Sequence, residues 1–544
     1  VTGPLSRRPE SGHDVIVIGA GPNGLVAANA LADAGWSVLV LEEQPTPGGS
    51  VRSDHGVQPD FVHDTFSAFY PLAAASPTLR SLGLEQHGLQ WCHAPAVLGH
   101  PRPDGEWALL HRDRELTASL LDAQHPGDGE AWLSLCRQWD VIGDQLVRAL
   151  LSPFPPIRHG IGALLRLPRA GGLGLLKTLL MPVDAQARRF GGDAPGLLLA
   201  GNAGHADIPL DAPGSGLMAM VLAMLGQTVG FPVPRGGASE LSAALARRLS
   251  SLGGEVICGC RVTGIQVEHG RATAVVTADH RRHPARRAVV ADVMAPALYQ
   301  QLLPAEAVPR RVSEAVSGFE LDPGTVKVDW ALSGPVPWSQ APPHAPGTLH
   351  IADSLDDIRT ATAQVRARTI PHQPFLLAGQ MTTTDATRSP AGTESMWAYA
   401  HVPQPDGSPV EDAGVDRGMA EIQGRWDERD RERYADRMQQ RIERLAPGFG
   451  DRVIARRVLG PRELQQRNAN LVGGAINGGT AQLHQQLIFR PIPGLGRAST
   501  CVAGVYLASA SAHPGGGVHG ACGMNAARAV LAASRLGRLP RIPT

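Results

Sequence analysis

Asp14-Val-Ile-Val-Ile-Gly-Ala-Gly-Pro-Asn-Gly24, continued by Leu25-Val-Ala-Ala-Asn-Ala-Leu-Ala-Asp-Ala-Gly35 and by Ser37-Val-Leu-Val-Leu-Glu42, is the stretch that decides the fold. A β-branched run leads into Gly19-x-Gly21-x-x-Gly24, a helix of small residues follows, and a second apolar strand ends on an acid. Each part has a physical task. Gly19 permits the tight turn, Gly21 lets backbone approach a pyrophosphate, and Gly24 lets the helix pack closely on the sheet. Pro22 and Asn23 open the helix, whose free N–H groups and positive dipole end face the phosphates. Glu42 stands where a carboxylate can accept hydrogen bonds from a ribose diol, with Glu43 beside it. A lone glycine pattern would be weak, but strand, turn, helix, strand and acid occur together at the expected spacing. They predict a dinucleotide-binding α/β fold.

Working outward, Pro47-Gly-Gly-Ser-Val-Arg-Ser53 follows the acid. A turn at Gly48 and Gly49 can bring backbone N–H groups to a pyrophosphate, with Ser50 and Arg52 next to it. Near the other end lies Gly504-Val-Tyr-Leu-Ala-Ser-Ala-Ser-Ala-His-Pro-Gly-Gly-Gly-Val-His-Gly520, then Ala521-Cys-Gly-Met-Asn-Ala-Ala-Arg-Ala-Val-Leu531. It reads as a strand over 505–508, a glycine-rich turn and a small-residue helix, a second junction with bare backbone at a helix start. Such backbone can stabilise negative charge on a reduced ring.

These motifs resemble the phytoene desaturase-like family of FAD-dependent oxidoreductases in the amine oxidase superfamily. The chain keeps a tyrosine-leucine strand at Tyr506-Leu507 and the His513-Pro514-Gly515-Gly516-Gly517 turn. It departs at Ser509 and Ser511, where glycines are usual, and at Ser50, which holds the place of a basic residue. The long form of the turn is most similar to the branch typified by the pyridine nucleotide-disulphide oxidoreductase domain-containing protein 2. The resemblance implies FAD, held by Gly19, Gly21, Pro22, Asn23, Gly24, Glu42, Glu43, Gly48, Gly49, Ser50 and Arg52. It adds the backbone of Val262 on the adenine side, and Ser509, Gly516, Gly517 and Val518 at the flavin.

The same resemblance implies an α/β architecture: a discontinuous Rossmann-like FAD-binding domain (GR2 type) with an inserted α+β substrate domain. Residues 13–59, 231–304 and 491–538 would form the first, and 60–230 and 305–490 the second. The middle piece agrees, with a helix from Pro234 through Leu249 and strands at 253–258, 261–268 and 288–292. No second glycine fingerprint follows a strand in the inserts, so a stable NAD(P) site is not expected. Electrons are expected to leave to oxygen, a quinone or another soluble acceptor.

Composition narrows the rest. Apolar residues make up 43% of 544, and Lys+Arg and Asp+Glu both number 50, a balance that argues against a nucleic-acid surface. The 6 cysteines include no C-x-x-C pair, and Cys258 and Cys260 alternate on an apparent strand as packing residues. So few cysteines fit a reducing compartment, hence a cytoplasmic protein, and no metal site is expected. Residues 1–13 read as a loose lead-in rather than a signal peptide. The Ala, Gly and Arg richness gives a compositional impression of a bacterial genome. Residues 161–183 are apolar but interrupted by Arg166, Pro168, Arg169 and Lys177, so they are no transmembrane helix. They read either as an ordinary domain helix pair with basic edges or as an interfacial helix making peripheral membrane contact. The mixed-charge run from Trp426 to Arg444 reads as a solvated helix face.

Flavin oxidation of a C–H bond leaves the protein to position substrate, exclude water and sometimes move a proton. His513, His519 and His205 are weak candidates for the last task, and a flavin-orienting or structural role suits each at least as well. The expected function is a dehydrogenase/desaturase or oxidase of an apolar small molecule, carotenoid, isoprenoid or polyketide-like. The alternatives are an amine oxidase-type flavoenzyme and a flavin-bearing interaction protein with little turnover.

Overall fold

The computed structural model describes residues 12–537. The lead-in residues 1–11 and the end of the last domain piece at 538 lie outside them. Fourteen strands build two sheets: β1 (His13–Ile18), β2 (Val38–Leu41), β3 (Ala96–Pro101), β4 (Trp107–Leu110), β5 (Glu255–Ile257), β6 (Val262–Glu268), β7 (Arg271–Thr277), β8 (Arg282–Ala291), β9 (Gly324–Leu332), β10 (Pro346–Ile351), β11 (Leu376–Gln380), β12 (Glu394–Val402), β13 (Val453–Leu459) and β14 (Val505–Leu507). The helices needed below are α1 (Pro22–Asp33), α2 (Asp128–Leu151), α3 (Ile157–Arg166), α4 (Gly172–Leu180), α5 (Asp193–His205), α6 (Ser215–Thr228), α7 (Ser239–Ser251), α8 (Leu355–Arg366), α9 (Glu428–Leu445) and α10 (Ala521–Arg535).

The first sheet runs β6-β7-β8-β1-β2-β5, with β14 also paired to β8. Its centre is parallel and apolar on both faces, as a sheet covered by helices must be. Helices α1, α7 and α10 cover one face, and β6, β7 and the 295–316 segment lie toward the other. Register aligns four strand ends. Ile18 pairs with both Leu41 and Ala291, and Ala291 pairs with Leu507. The chain therefore leaves the sheet at Gly19, Glu42, Asp292 and Ala508 along a single edge. Ligands of open α/β sheets bind outside such carboxyl ends.

The second sheet runs β13-β9-β12-β11-β10-β3-β4. Strand alternation splits β12: Trp397 and Tyr399 pack toward α2, α5 and α6, while Met396, Ala398, Ala400 and Val402 pack toward α9. Buried ion pairs join this sheet to the segment that follows the second glycine turn. Arg388 bridges Asp64 and Asp385 at 3.0 Å each, Lys327 pairs with Asp329, and Arg457 spans Asp329 (2.8 Å) and Asp54 (2.6 Å).

Two readings of the sequence are corrected. Strand β5 stops at Ile257, and Gly259 (φ +67°) turns the chain so that Gly259 and Cys260 donate to the carbonyls of Gln44 and Glu42. Cys258 and Cys260 therefore lie on this turn and do not alternate on a strand. The charged run is not a plain solvated face either. Trp426, Tyr434, Ala435, Met438 and Ile442 are fully buried, and the guanidinium groups of Arg437 and Arg441 are drawn in with them to pair with Asp412 and Asp357. The apolar stripe at helical spacing was masked by the charges between its members.

Candidate functional site: a two-turn cradle at the strand ends

The first glycine turn takes the conformation its residues predict. Gly19 has φ +93°, and Gly21, the residue before α1, offers the helix no side-chain cap of its own. A Cβ added to Gly24 would stand 2.2 Å from the Gly19 carbonyl oxygen, so only glycine allows this helix to sit so close. The second turn lies against the first: a Cβ on Gly49 would approach Gly21 Cα at 3.0 Å. Gly48 N donates to Ala20 O at 2.8 Å and ties the turns together.

Glu42 sits at the end of β2, 6% exposed, and accepts from Ala20 N (2.7 Å) and Gln44 N (2.8 Å). Its carboxylate thus braces the first turn, and each oxygen keeps a lone pair for a further donor. Glu43 points outward to Arg261 at 3.7 Å. Ser50 Oγ accepts from Asn468, and Arg52 donates to Gly49 O and Arg467 O while lying over the Phe66 ring. Val262 opens β6, 8% exposed. Pro22 and Asn23 start α1 as expected, and the Asn23 carboxamide oxygen is buried without a partner.

The late turn closes the same edge. Ser509 Oγ accepts from Ser511 N, and Gly515, Gly516 and Gly517 lead through Val518 to α10. Helix α10 touches α1 at the turn, since a Cβ on Gly523 would fall 1.9 Å from Asn23 O. Both ends of the Asn525 carboxamide are buried and unpartnered. Two opposed glycine turns at helix starts and unpaired buried carboxamides fit a dinucleotide with a polar diphosphate and ring edge, as FAD has.

The candidate histidines differ in what they touch. His519 accepts from Ala521 N and binds Gly516 O, so both ring nitrogens pin the turn; burial lowers its pKa to about 4 and keeps it neutral. His513 bonds Ser152 O at 3.0 Å and meets the Phe154 ring edge-on. His205 ends α5, with burial lowering its pKa to about 4, and stacks edge-on with His350 and Tyr399.

Three groups were missed in the sequence. Asp292 ends β8 inside the first glycine turn, its Oδ2 accepting from Gly24 N at 2.8 Å. Burial pushes its carboxyl up to about 7, against the Gly24 N–H and with Glu42 adding to the rise. The rule that singled out Glu42, an acid closing a parallel strand, applies equally to Asp292. The second group is a clamp on the 476–480 loop. Asp322 accepts from the N–H groups of Ile476, Asn477 and Gly479, while Arg490 donates to the carbonyls of Asn477, Gly478, Gly479, Thr480 and Ala510. The third is Asp207, paired with His401 and with Asn477. No spacing pattern announces either of the last two, because their members come from separate segments.

Comparison with known proteins agrees with this geometry. The family described as NAD(P)-binding Rossmann-like domain matches residues 17–82, and the family described as Flavin containing amine oxidoreductase matches 190–361. The mouse pyridine nucleotide-disulfide oxidoreductase domain-containing protein 2 is 28% identical over 96% of this chain and 94% of its own. Phytoene dehydrogenase of Streptomyces griseus is 27% identical over 73% of this chain and 74% of its own. Among solved structures, an oxidoreductase from Methanosarcina mazei shares the fold with a TM-score of 0.59 at 16% identity, covering 95% of this chain and 99% of that one.

Proposed function

We propose that this chain, a phytoene desaturase-like FAD-dependent oxidoreductase of the amine oxidase superfamily, removes hydrogen from an apolar small molecule, of isoprenoid or polyketide-like character, that it meets at a membrane surface. Bound FAD supplies the chemistry by accepting a hydride at its ring. The glycine turns at 19–24 and 48–49 hold the diphosphate, Glu42 takes ribose hydroxyls, and the 515–518 turn faces the flavin. Oxygen or a quinone then takes the electrons. The bacterial, cytoplasmic setting read from composition belongs to this same proposal.

One observation carries the apolar substrate. No helix among the described residues is long and apolar enough to cross a membrane. Yet α3 exposes Ile157, Ile161, Leu164 and Leu165 at 67%, 53%, 66% and 74%, and α4 exposes Leu173, Leu176 and Leu180 at 80%, 39% and 57%. Both sets follow helical spacing, so each helix presents an apolar stripe to solvent. Arg158, Arg166, Arg169 and Lys177 stand exposed among them, and no acid lies between Asp144 and Asp184. An apolar stripe with a basic rim matches an anionic lipid surface. The segment leading into α3 is the one whose Ser152 and Phe154 touch His513 on the late turn, which connects that surface to the cradle.

Holoenzyme is expected to sediment with phosphatidylglycerol vesicles and much less with phosphatidylcholine vesicles. Leu164→Asp with Leu173→Asp should abolish the difference. In the same vesicles an acyclic isoprenoid should bleach the flavin absorbance. Reduction by amines with no response to isoprenoids would establish the amine oxidase reading instead, and flavin that no donor reduces would favour an interaction protein.

A further inference from the structure

Asp207 stands just past α5 with φ +56°, a backbone conformation that side-chain-bearing residues rarely adopt and that clusters at functional positions. Its side chain is 1% exposed, and its two oxygens are spoken for by His401 and by the Asn477 carboxamide. His401 ends the aromatic row of β12, 13% exposed, with Nδ1 3.4 Å from Thr325 Oγ1 and Nε2 toward Asp207. Both residues line a small cavity of about 50 Å³ with Pro209, Pro323, Thr362 and Phe375. Asn477 continues the line to the late glycine turn, because a Cβ on Gly516 would meet Asn477 O at 2.7 Å and its Oδ1 at 3.0 Å. A chain of contacts therefore runs from the 515–517 turn through Asn477 and Asp207 to His401.

The charges around this line determine its proton count. Asp207 and Asp322 are the acids that bear on His401, burial raising the Asp322 pKa, and Arg490, fully buried on the far side of the 476–480 loop, acts on Asp322. His205 and Tyr399 close in from α5 and β12, Arg366 lies at the cavity wall, and Tyr434 of α9 reaches the His401 carbonyl at 3.3 Å. A buried charge needs a partner at close range, and a proton on His401 stands directly against Asp207. Burial opposes a charged ring, but Asp207 and then Asp322 outweigh it and raise the His401 pKa.

We propose that the Asp207–His401 pair is a redox-linked proton site, holding one proton between the end of α5 and β12 and binding it more tightly when the cofactor beyond the Gly516 turn is reduced. The proposal rests on the flavin reading above. The sign follows from electrostatics: reduction places negative charge on the ring side of the turn, and a buried imidazolium nearby is stabilised by it. The pair takes its proton from solvent through the cavity and returns it on reoxidation, so no bond of substrate is made or broken there.

The test is proton uptake during electrochemical reduction of the holoenzyme in weak buffer with a pH indicator, from pH 5 to pH 10. Wild type should take up more protons than free FAD in a bell-shaped pH window, as expected if reduction tightens the site by about tenfold, one pKa unit. His401→Gln should lose the excess, and Asp207→Asn should move the window to lower pH. Equal uptake curves for flavin-loaded wild type and His401→Gln would overturn the proposal. So would a wild type that shows no excess anywhere, whatever the variants do. Yellow protein that reduces normally without excess uptake leaves the flavin reading intact, whereas protein without flavin removes both.

Discussion

Asp292 is the residue where physics and position conflict most. A carboxylate inside such a glycine turn would repel a diphosphate bound there, and its folded pKa of about 7 stands above the usual 3.8. For a raised pKa, stability is complete below the unfolded value and falls as pH rises through the folded one. Apo-protein should therefore lose about 4 kcal/mol between pH 4 and pH 7 on this account alone. Asp292→Asn keeps an acceptor for Gly24 N–H and removes the charge. It should stabilise apo-protein at pH 8 and change little at pH 4, as read from urea midpoints, and it should tighten FAD binding at the higher pH. Gly24 offers the opposite case. Gly24→Val puts a methyl-bearing carbon against the Gly19 carbonyl, and the expected result is colourless protein, destabilised by about 3 kcal/mol or more. At this scale much was legible, because the glycines of the first turn are specified by backbone geometry that leaves a trace in residue type. Asp207 and Arg490 left none, since their partners lie in segments that only the fold brings together, whereas Asp292 closes a parallel strand just as Glu42 does.

Elements show why one part of the sequence misled and another did not. The opening strands are unbroken apolar runs on either side of a glycine turn and a small-residue helix, so 13–42 reads directly. In α9 the buried residues sit between charges that compensate one another across segments, and the apolar stripe is invisible until Asp412, Asp353 and Asp357 are placed beside it. The 161–183 stretch stayed open for a different reason: amphipathic helices bound to a core and amphipathic helices bound to lipid have the same pattern, and what the structure adds is that α3 and α4 leave apolar stripes exposed. The loop clamp is the element with the most at stake. Arg490→Met would strand carbonyls from five residues and leave Asp322 without its opposing charge. A loss of about 3–5 kcal/mol in urea unfolding is expected, larger than for any surface arginine.

For the molecule as a whole, the join between the sheets is ionic where each interior is apolar. The Asp54–Arg457–Asp329–Lys327 and Asp64–Arg388–Asp385 sets tie the second sheet to the 53–64 segment that leads away from the first. Burial works against the Asp54 carboxylate, but Arg457, Thr65 and Gly56 lower its pKa to about 2. A lowered pKa contributes stability above the unfolded value that fades as pH falls through the folded one. Acid should therefore loosen this join between about pH 4 and pH 2, and Asp54→Asn should remove that phase from acid unfolding followed by tryptophan fluorescence. Trp330, on β9 beside Asp329, is a reporter within the same strand.

The first sheet draws its strands from residues 13–41, 255–291 and 505–507, and β14 lies directly on β8. During synthesis the nascent chain can shape the first glycine turn early, but the edge at the carboxyl ends of the strands stays unfinished until β14 leaves the ribosome tunnel. Capture of a cofactor at this edge waits for β14, and until then the apolar edge of β8 has to be covered by contacts that β14 later displaces.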